Sequence, residues 1–133
     1  MGHKYLTDIG INIENTPYGF GGDKDPRNTD WKQEKEIYGF DNRETWCMDV
    51  AFYCWLYERL MMFNEVNIIN TDFHTIDIDD RKLTLQQCID EMIEGCKVFL
   101  TTDDYYYSAT DEERKKVDNV LVIWKECISY MWW

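Results

Sequence analysis

Two histidines (His3, His74) and two serines (Ser108, Ser129) bound the acid–base and nucleophilic chemistry open to this chain of 133 residues. A Ser-His-Asp triad would have to use His74, and neither serine stands in a G-x-S-x-G setting, so hydrolysis by a triad is set aside. The five cysteines, Cys47, Cys54, Cys88, Cys96 and Cys127, are odd in number and include no C-x-x-C pair. They read as small apolar core groups in a reducing compartment, neither a disulfide framework nor a zinc ribbon. His74 with Asp77, Asp79 and Asp80 is the one cluster of metal-ligand composition, because imidazole and carboxylates converging from a hairpin suit Mn, Zn or Mg. An EF-hand is excluded for want of the glycine and the distal glutamate, and strand alternation sends His74 and Asp77 to opposite faces. No phosphate-binding glycine pattern occurs; Gly19, Gly21 and Gly22 read as turn residues. The reading therefore assigns no catalytic residue, no metal and no cofactor.

What the sequence does concentrate is negative charge. The 26 acidic side chains outnumber the 14 basic ones, for a net charge of −12. Residues 65–113 hold 13 of the acids and 3 of the bases, which makes them one acidic module. Such a field repels nucleic-acid phosphates, and it fits plain solubility as well as it fits attraction to a basic partner protein. Two groups in the module are candidate partner-binding residues: Asp77, Asp79 and Asp80, and the run Asp103-Asp104-Tyr105-Tyr106-Tyr107. Three adjacent tyrosines in an extended loop cannot all point inward. Rings beside carboxylates suit contact with Arg- or Lys-rich surfaces, although two of the rings could equally cover the edge of the core.

These groups must be positioned by a core, and aromatic residues at 16% of the chain supply ample area for one without disulfides. No apolar run is long enough to span a membrane, and no signal-peptide pattern opens the chain, so a cytoplasmic protein is expected. Residues 1–38 hold five of the seven glycines and both prolines, and read as an irregular arm with one short strand over Tyr5-Leu6, Ile9, Ile11 and Ile13. Residues 39–133 read as the helical domain. Asp41 caps a helix over 42–65, apolar nearly all round and hence central. A hairpin over 73–83 turns at Asp79-Asp80. Two capping boxes, Thr84 with Gln87 and Thr110 with Glu113, open helices over 85–100 and 111–130. The second of these turns Val117, Val120, Leu121, Trp124, Ile128 and Met131 inward, and Trp132-Trp133 clasps its end onto the core. The expected fold is mainly α (α+β): a compact three-helix domain with a small hairpin.

The stretch Gly39-Phe40-Asp41-Asn42-Arg43-Glu44-Thr45-Trp46, with Trp55-Leu56-Tyr57-Glu58-Arg59-Leu60 and the final Trp-Trp, resembles small uncharacterised proteins of bacteriophages and prophages over about 40–133. The resemblance implies a phage accessory gene with no catalytic residues to transfer. Small acidic phage proteins of this kind include inhibitors of host defence, anti-CRISPR proteins among them. The expected function is thus non-enzymatic inhibition of a bacterial antiphage system in the infected host's cytoplasm. The partner would be a defence protein with a basic surface, such as a CRISPR nuclease, with no direct contact to nucleic acid or membrane. A protein that sequesters a nucleotide signal between aromatic rings, and a metal-dependent hydrolase using His74, are the alternatives.

Overall fold

The helix signals read from the capping boxes hold in detail. In a computed structural model, which describes residues 2–102 and 106–132, the Thr84 hydroxyl accepts from the Gln87 N–H (3.1 Å) while the Gln87 side chain accepts from the Thr84 N–H (2.9 Å). Thr110 and Glu113 repeat the exchange at 3.1 and 2.9 Å. In chain order the described elements are α1 (Lys4–Asp8), α2 (Asn28–Tyr38), α3 (Met48–Val66), β1 (Thr75–Ile78), β2 (Arg81–Thr84), α4 (Leu85–Thr101) and α5 (Asp111–Cys127). Tight 3-10 turns lie at Ile13–Asn15, Asn42–Thr45 and Ile128–Tyr130. The protein is mainly helical with one small antiparallel hairpin, and no described helix is long and apolar enough to cross a membrane.

The middle layer is α4, which packs against α3 on one side and α5 on the other. Leu85, Cys88, Ile89, Met92 and Cys96 are buried at helical spacing and form one stripe, leaving Gln87, Asp90, Glu94 and Lys97 in water. The expectation that the helix from 42 is central is thereby corrected. Its apolar residues are spread all round, so Tyr53, Cys54, Leu56, Tyr57 and Leu60 are buried, Val50, Phe52, Met61 and Phe63 are partly buried against the core, and Met48, Met62 and Val66 stay exposed. That helix also starts later than expected. The Asp41 side chain caps the Arg43 N–H at 3.0 Å and holds residues 42–45 in a 3-10 turn, and Cys47, at φ −136° and ψ 82°, interrupts the helix before Met48.

Two further expectations are corrected near the N-terminus. Residues 4–8 are helix and not strand; Leu6 and Ile9, three apart, fall on one face of a helical turn but on opposite faces of a strand. Leu6 is fully buried in the same cluster as Leu56, Leu60 and Met92. The His3 ring stacks on Tyr18 (3.9 Å between centroids) and its Nδ1 meets Glu58 Oε2 at 2.8 Å, which fastens α1 to α3. Within the stretch read as irregular lies α2, of 11 residues, which buries only Trp31 and so carries little apolar periodicity to betray it. It stops at Gly39, whose φ of 85° suits glycine.

In the hairpin, Ile76 pairs with Leu83 and Asp77 with Lys82, so Ile76, Ile78 and Leu83 face inward. On α5 the buried residues are Val117, Val120, Ile123 and Cys127, while Leu121 and Ile128 are exposed against expectation. The helix ends at Cys127, and the turn after it carries Trp132 off the apolar face. Trp132 is 76% exposed and clasps nothing; Trp133 lies outside the described residues.

Candidate functional site

Alternation along β1 determines which acids of the hairpin reach solvent. With Ile76 and Ile78 turned in, Asp77 points out and meets Lys82, its cross-strand partner, at 3.3 Å. Asp79 begins the turn at φ 55°, and Asp80 follows it; both are exposed, and among the described residues neither has a cation within 4.0 Å. Arg81 reaches from β2 to α4, where its two terminal nitrogens meet the two oxygens of Glu91 at 2.8 Å each. This fork fixes the hairpin turn beside the outward face of α4. That face adds Asp90 and Glu94, four residues apart and both in water; Glu94 lies 3.8 Å from Lys116 of α5.

The second candidate group is only partly described, since Asp103, Asp104 and Tyr105 lie outside the described residues. Of its tyrosines, Tyr106 packs its ring on Phe99 at 5.2 Å, and its hydroxyl is buried without a hydrogen-bond partner among the described residues. Burial pushes that hydroxyl's pKa up. Tyr107 is 80% exposed. Arg114 of α5 donates to the carbonyls of Tyr106 and Tyr107 (3.4 and 3.1 Å) and holds its guanidinium 5.1 Å from the Tyr106 ring. The described tyrosines, Tyr106 and Tyr107, lie at the other end of α4 from the hairpin. The hairpin enters the first turn of α4 and the tyrosines follow its last, and 17 helical residues span about 25 Å. The described acids form a face running from the hairpin turn along α4, interrupted by Lys97 near its far end.

His74 is exposed just before β1 and turns to aromatic neighbours in place of the aspartates. Its ring meets Phe73 edge-on (4.9 Å) and stands 5.8 Å from Tyr130. Among the described residues no three His, Cys, Asp or Glu side chains converge to hold a metal ion. With Trp132 these rings line a cleft of about 480 Å³, floored by Ile69 and Leu85. A second cleft, of about 730 Å³, lies between the loop after α1, the start of α3 and the end of α4, and takes in Asp49, Phe99 and Tyr107.

Four of the thiols are buried as expected, and burial raises Cys54, Cys96 and Cys127 to about 12, far from thiolate chemistry at neutral pH. Cys47 corrects the expectation that all five sit on apolar faces. It precedes the first turn of α3, is exposed, and opens onto the larger cleft.

No sequence pattern points to the aromatic cleft: Phe73 reads as hairpin, Trp132 as a clasp on the core, and Tyr130 has no assigned role. The sequence reading also missed a cation–aromatic stack at the start of α3. Arg27 lies 4.9 Å from the Trp31 ring and 5.3 Å from the Trp46 ring, and Arg43 lies 4.2 Å from Trp31 on its own side. Asp25 holds Arg27 by side-chain and backbone hydrogen bonds that lower its own pKa to about 2. The signal was the repeated Trp and Arg of residues 27–46. Compared with protein-family models, curated proteins and solved structures, the chain matches none of them.

Proposed function

We propose that the protein acts by binding: it presents the acidic face of the β1–β2 turn and α4 to a basic, nucleic-acid-handling protein and so inhibits it. The observation that carries this reading is the exposure of Asp79 and Asp80 on the hairpin turn and of Asp90 and Glu94 on α4, with the Arg81–Glu91 fork joining the two elements. The bulk of the net charge lies in the same stretch of chain, which favours a positively charged counterpart and steers its approach. Together with the resemblance carried by residues 39–46, this points to an inhibitor of a bacterial antiphage system, with a CRISPR nuclease as the leading target.

The test is expression of the chain in a bacterium whose CRISPR system targets an infecting phage. Wild-type protein restores plaque formation, and the folded double variant Asp80→Lys, Asp90→Lys restores it at least tenfold less. On the purified pair, the variant slows association at low salt, and the difference shrinks as salt screens the surface charges. No restoration of plaques by the wild-type chain, or equal restoration by the variant, overturns the reading.

A further inference from the structure

The cleft formed by the segment before β1 and the turn after α5 has unusual walls for an acidic protein surface. Phe73 and Trp132 are 74% and 76% exposed, and Tyr130 is 41% exposed, although burying such rings is strongly favourable. Their spacing is close enough to make a continuous π surface, from Phe73 to His74 at 4.9 Å and on to Tyr130 at 5.8 Å. The planes differ by 86° and 49°, so the rings present both faces and edges. At about 480 Å³ the volume falls within the range of ligand sites, roughly 300 to 1,000 Å³.

Charge narrows the occupant. Among the described residues the lining holds no Lys, Arg, Asp or Glu side chain, so it offers a phosphate no ammonium or guanidinium and a cation no direct ion pair. The protein as a whole carries −12, and the exposed Asp72 adjoins Phe73 in the chain, so the cleft opens into a field that gathers cations. A cation within about 6 Å of ring centroids is attracted by their quadrupoles, the more so once desolvated. We infer that this cleft is an aromatic seat for the guanidinium of an arginine side chain on a basic partner protein. The inference rests on the reading above for the partner's charge, and adds the side chain that the partner inserts.

The probe is Nα-acetyl-arginine amide, set against its neutral isostere Nα-acetyl-citrulline amide and against uridine, each titrated into the whole protein. Binding is read from the indole N–H resonance of Trp132, identified by its loss in Trp132→Phe. The arginine derivative shifts this resonance saturably in the millimolar range and binds at least fivefold tighter than citrulline. Phe73→Ala, read from the same indole resonance, and Trp132→Ala, read from the backbone amide resonance of Phe73, both at exposed positions, weaken it about tenfold or more while the remaining spectrum stays that of the folded protein. The variant Asp80→Lys, Asp90→Lys leaves arginine binding within threefold, which separates a failure of the seat from a failure of the acidic-face reading. Equal binding of citrulline, tighter binding of uridine, or indifference to both ring removals overturns the inference.

Discussion

The guanidinium of Arg43 and the carboxylate of Asp41 form a two-point ion pair, Nε to Oδ1 at 3.0 Å and Nη2 to Oδ2 at 2.7 Å, with almost no solvent reaching either. Arg43 Nη1 also donates to the Phe20 carbonyl at 3.0 Å, and Lys35 Nζ of α2 stands 3.6 Å from Asp41 Oδ2. One buried pair thus ties the loop at residue 20, the helix α2 and the entrance of α3 together. Removing Arg43 takes away both hydrogen bonds of its guanidinium to the buried Asp41 carboxylate and leaves it only the more distant Lys35 ammonium as counter-ion. Arg43→Ala is therefore expected to lose about 3 to 5 kcal/mol of unfolding free energy in urea. Because the two residues share one interaction, Arg43→Met with Asp41→Leu costs less than the sum of the two single changes. A loss below about 1 kcal/mol for Arg43→Ala would show that this pair does not hold the segments together.

Acid should act through the same carboxylate. Burial pushes the Asp41 carboxyl upward, but the Arg43 side chain and N–H bonded to it, with the charges of Arg43 and Lys35, pull it further down, so its pKa lies below the ordinary value. A carboxylate depressed in the folded state contributes stability that is complete above its unfolded pKa of about 3.9 and is lost as pH falls through the folded value. Between pH 6 and pH 2 the wild-type melting temperature falls most steeply below about pH 4. Asp41→Asn starts lower and has a shallower acid limb; parallel limbs for the two proteins would place the acid-labile group elsewhere.

The crossing of α4 and α5 depends on a missing side chain. Gly95 is buried mid-helix, where alanine would raise helix propensity by about 1 kcal/mol. A Cβ at this position, however, would collide with Val120 Cγ2 and stand 2.6 Å from the Lys116 carbonyl oxygen of α5. The collision involves backbone and a branched core side chain, neither of which yields freely. Gly95→Ala is expected to destabilise by about 1 to 3 kcal/mol, opposite in sign to propensity. A stabilised variant in thermal melts would mean that the two helices can move apart without cost.

Gly95 also shows where reading the sequence stopped. The capping boxes, the α4 stripe and the outward acids of the hairpin were legible because each is set by neighbours within a few residues. Gly95 in a strongly periodic helix looks like a local fault until α5 is seen against it. The order of the layers was hidden for a similar reason: the apolar excess of α3 suggests burial all round, but its neighbours, chiefly α4 and α1, leave Met48, Met62 and Val66 in solvent. Likewise α2 shows one buried residue in 11 positions, and a helix docked by a single tryptophan leaves no period to find. Of the candidate site, the hairpin aspartates were read at their true positions. The distance to Tyr107 and the aromatic cleft depended on chain paths that no local pattern specifies.

Asp79 offers a way to separate charge from fold. Its φ of 55° lies in the left-handed region, where a residue with a Cβ is strained and aspartate less than most. Glycine adopts that conformation freely but loses more backbone entropy on folding, and the two effects nearly cancel. Asp79→Gly is therefore expected to stay within about 0.5 kcal/mol of the parent, whereas Asp79→Lys, which keeps a long side chain at positive φ, loses about 1 kcal/mol. Both remove the same carboxylate from the acidic face. With a short lysine homopolymer standing in for a basic surface, Asp79→Gly slows association at low ionic strength and matches the parent at high ionic strength, while Asp79→Lys slows it further. If the glycine variant associates at the parental rate at low salt, Asp79 does not contribute to steering, and the acidic face begins at Asp80 and continues along α4.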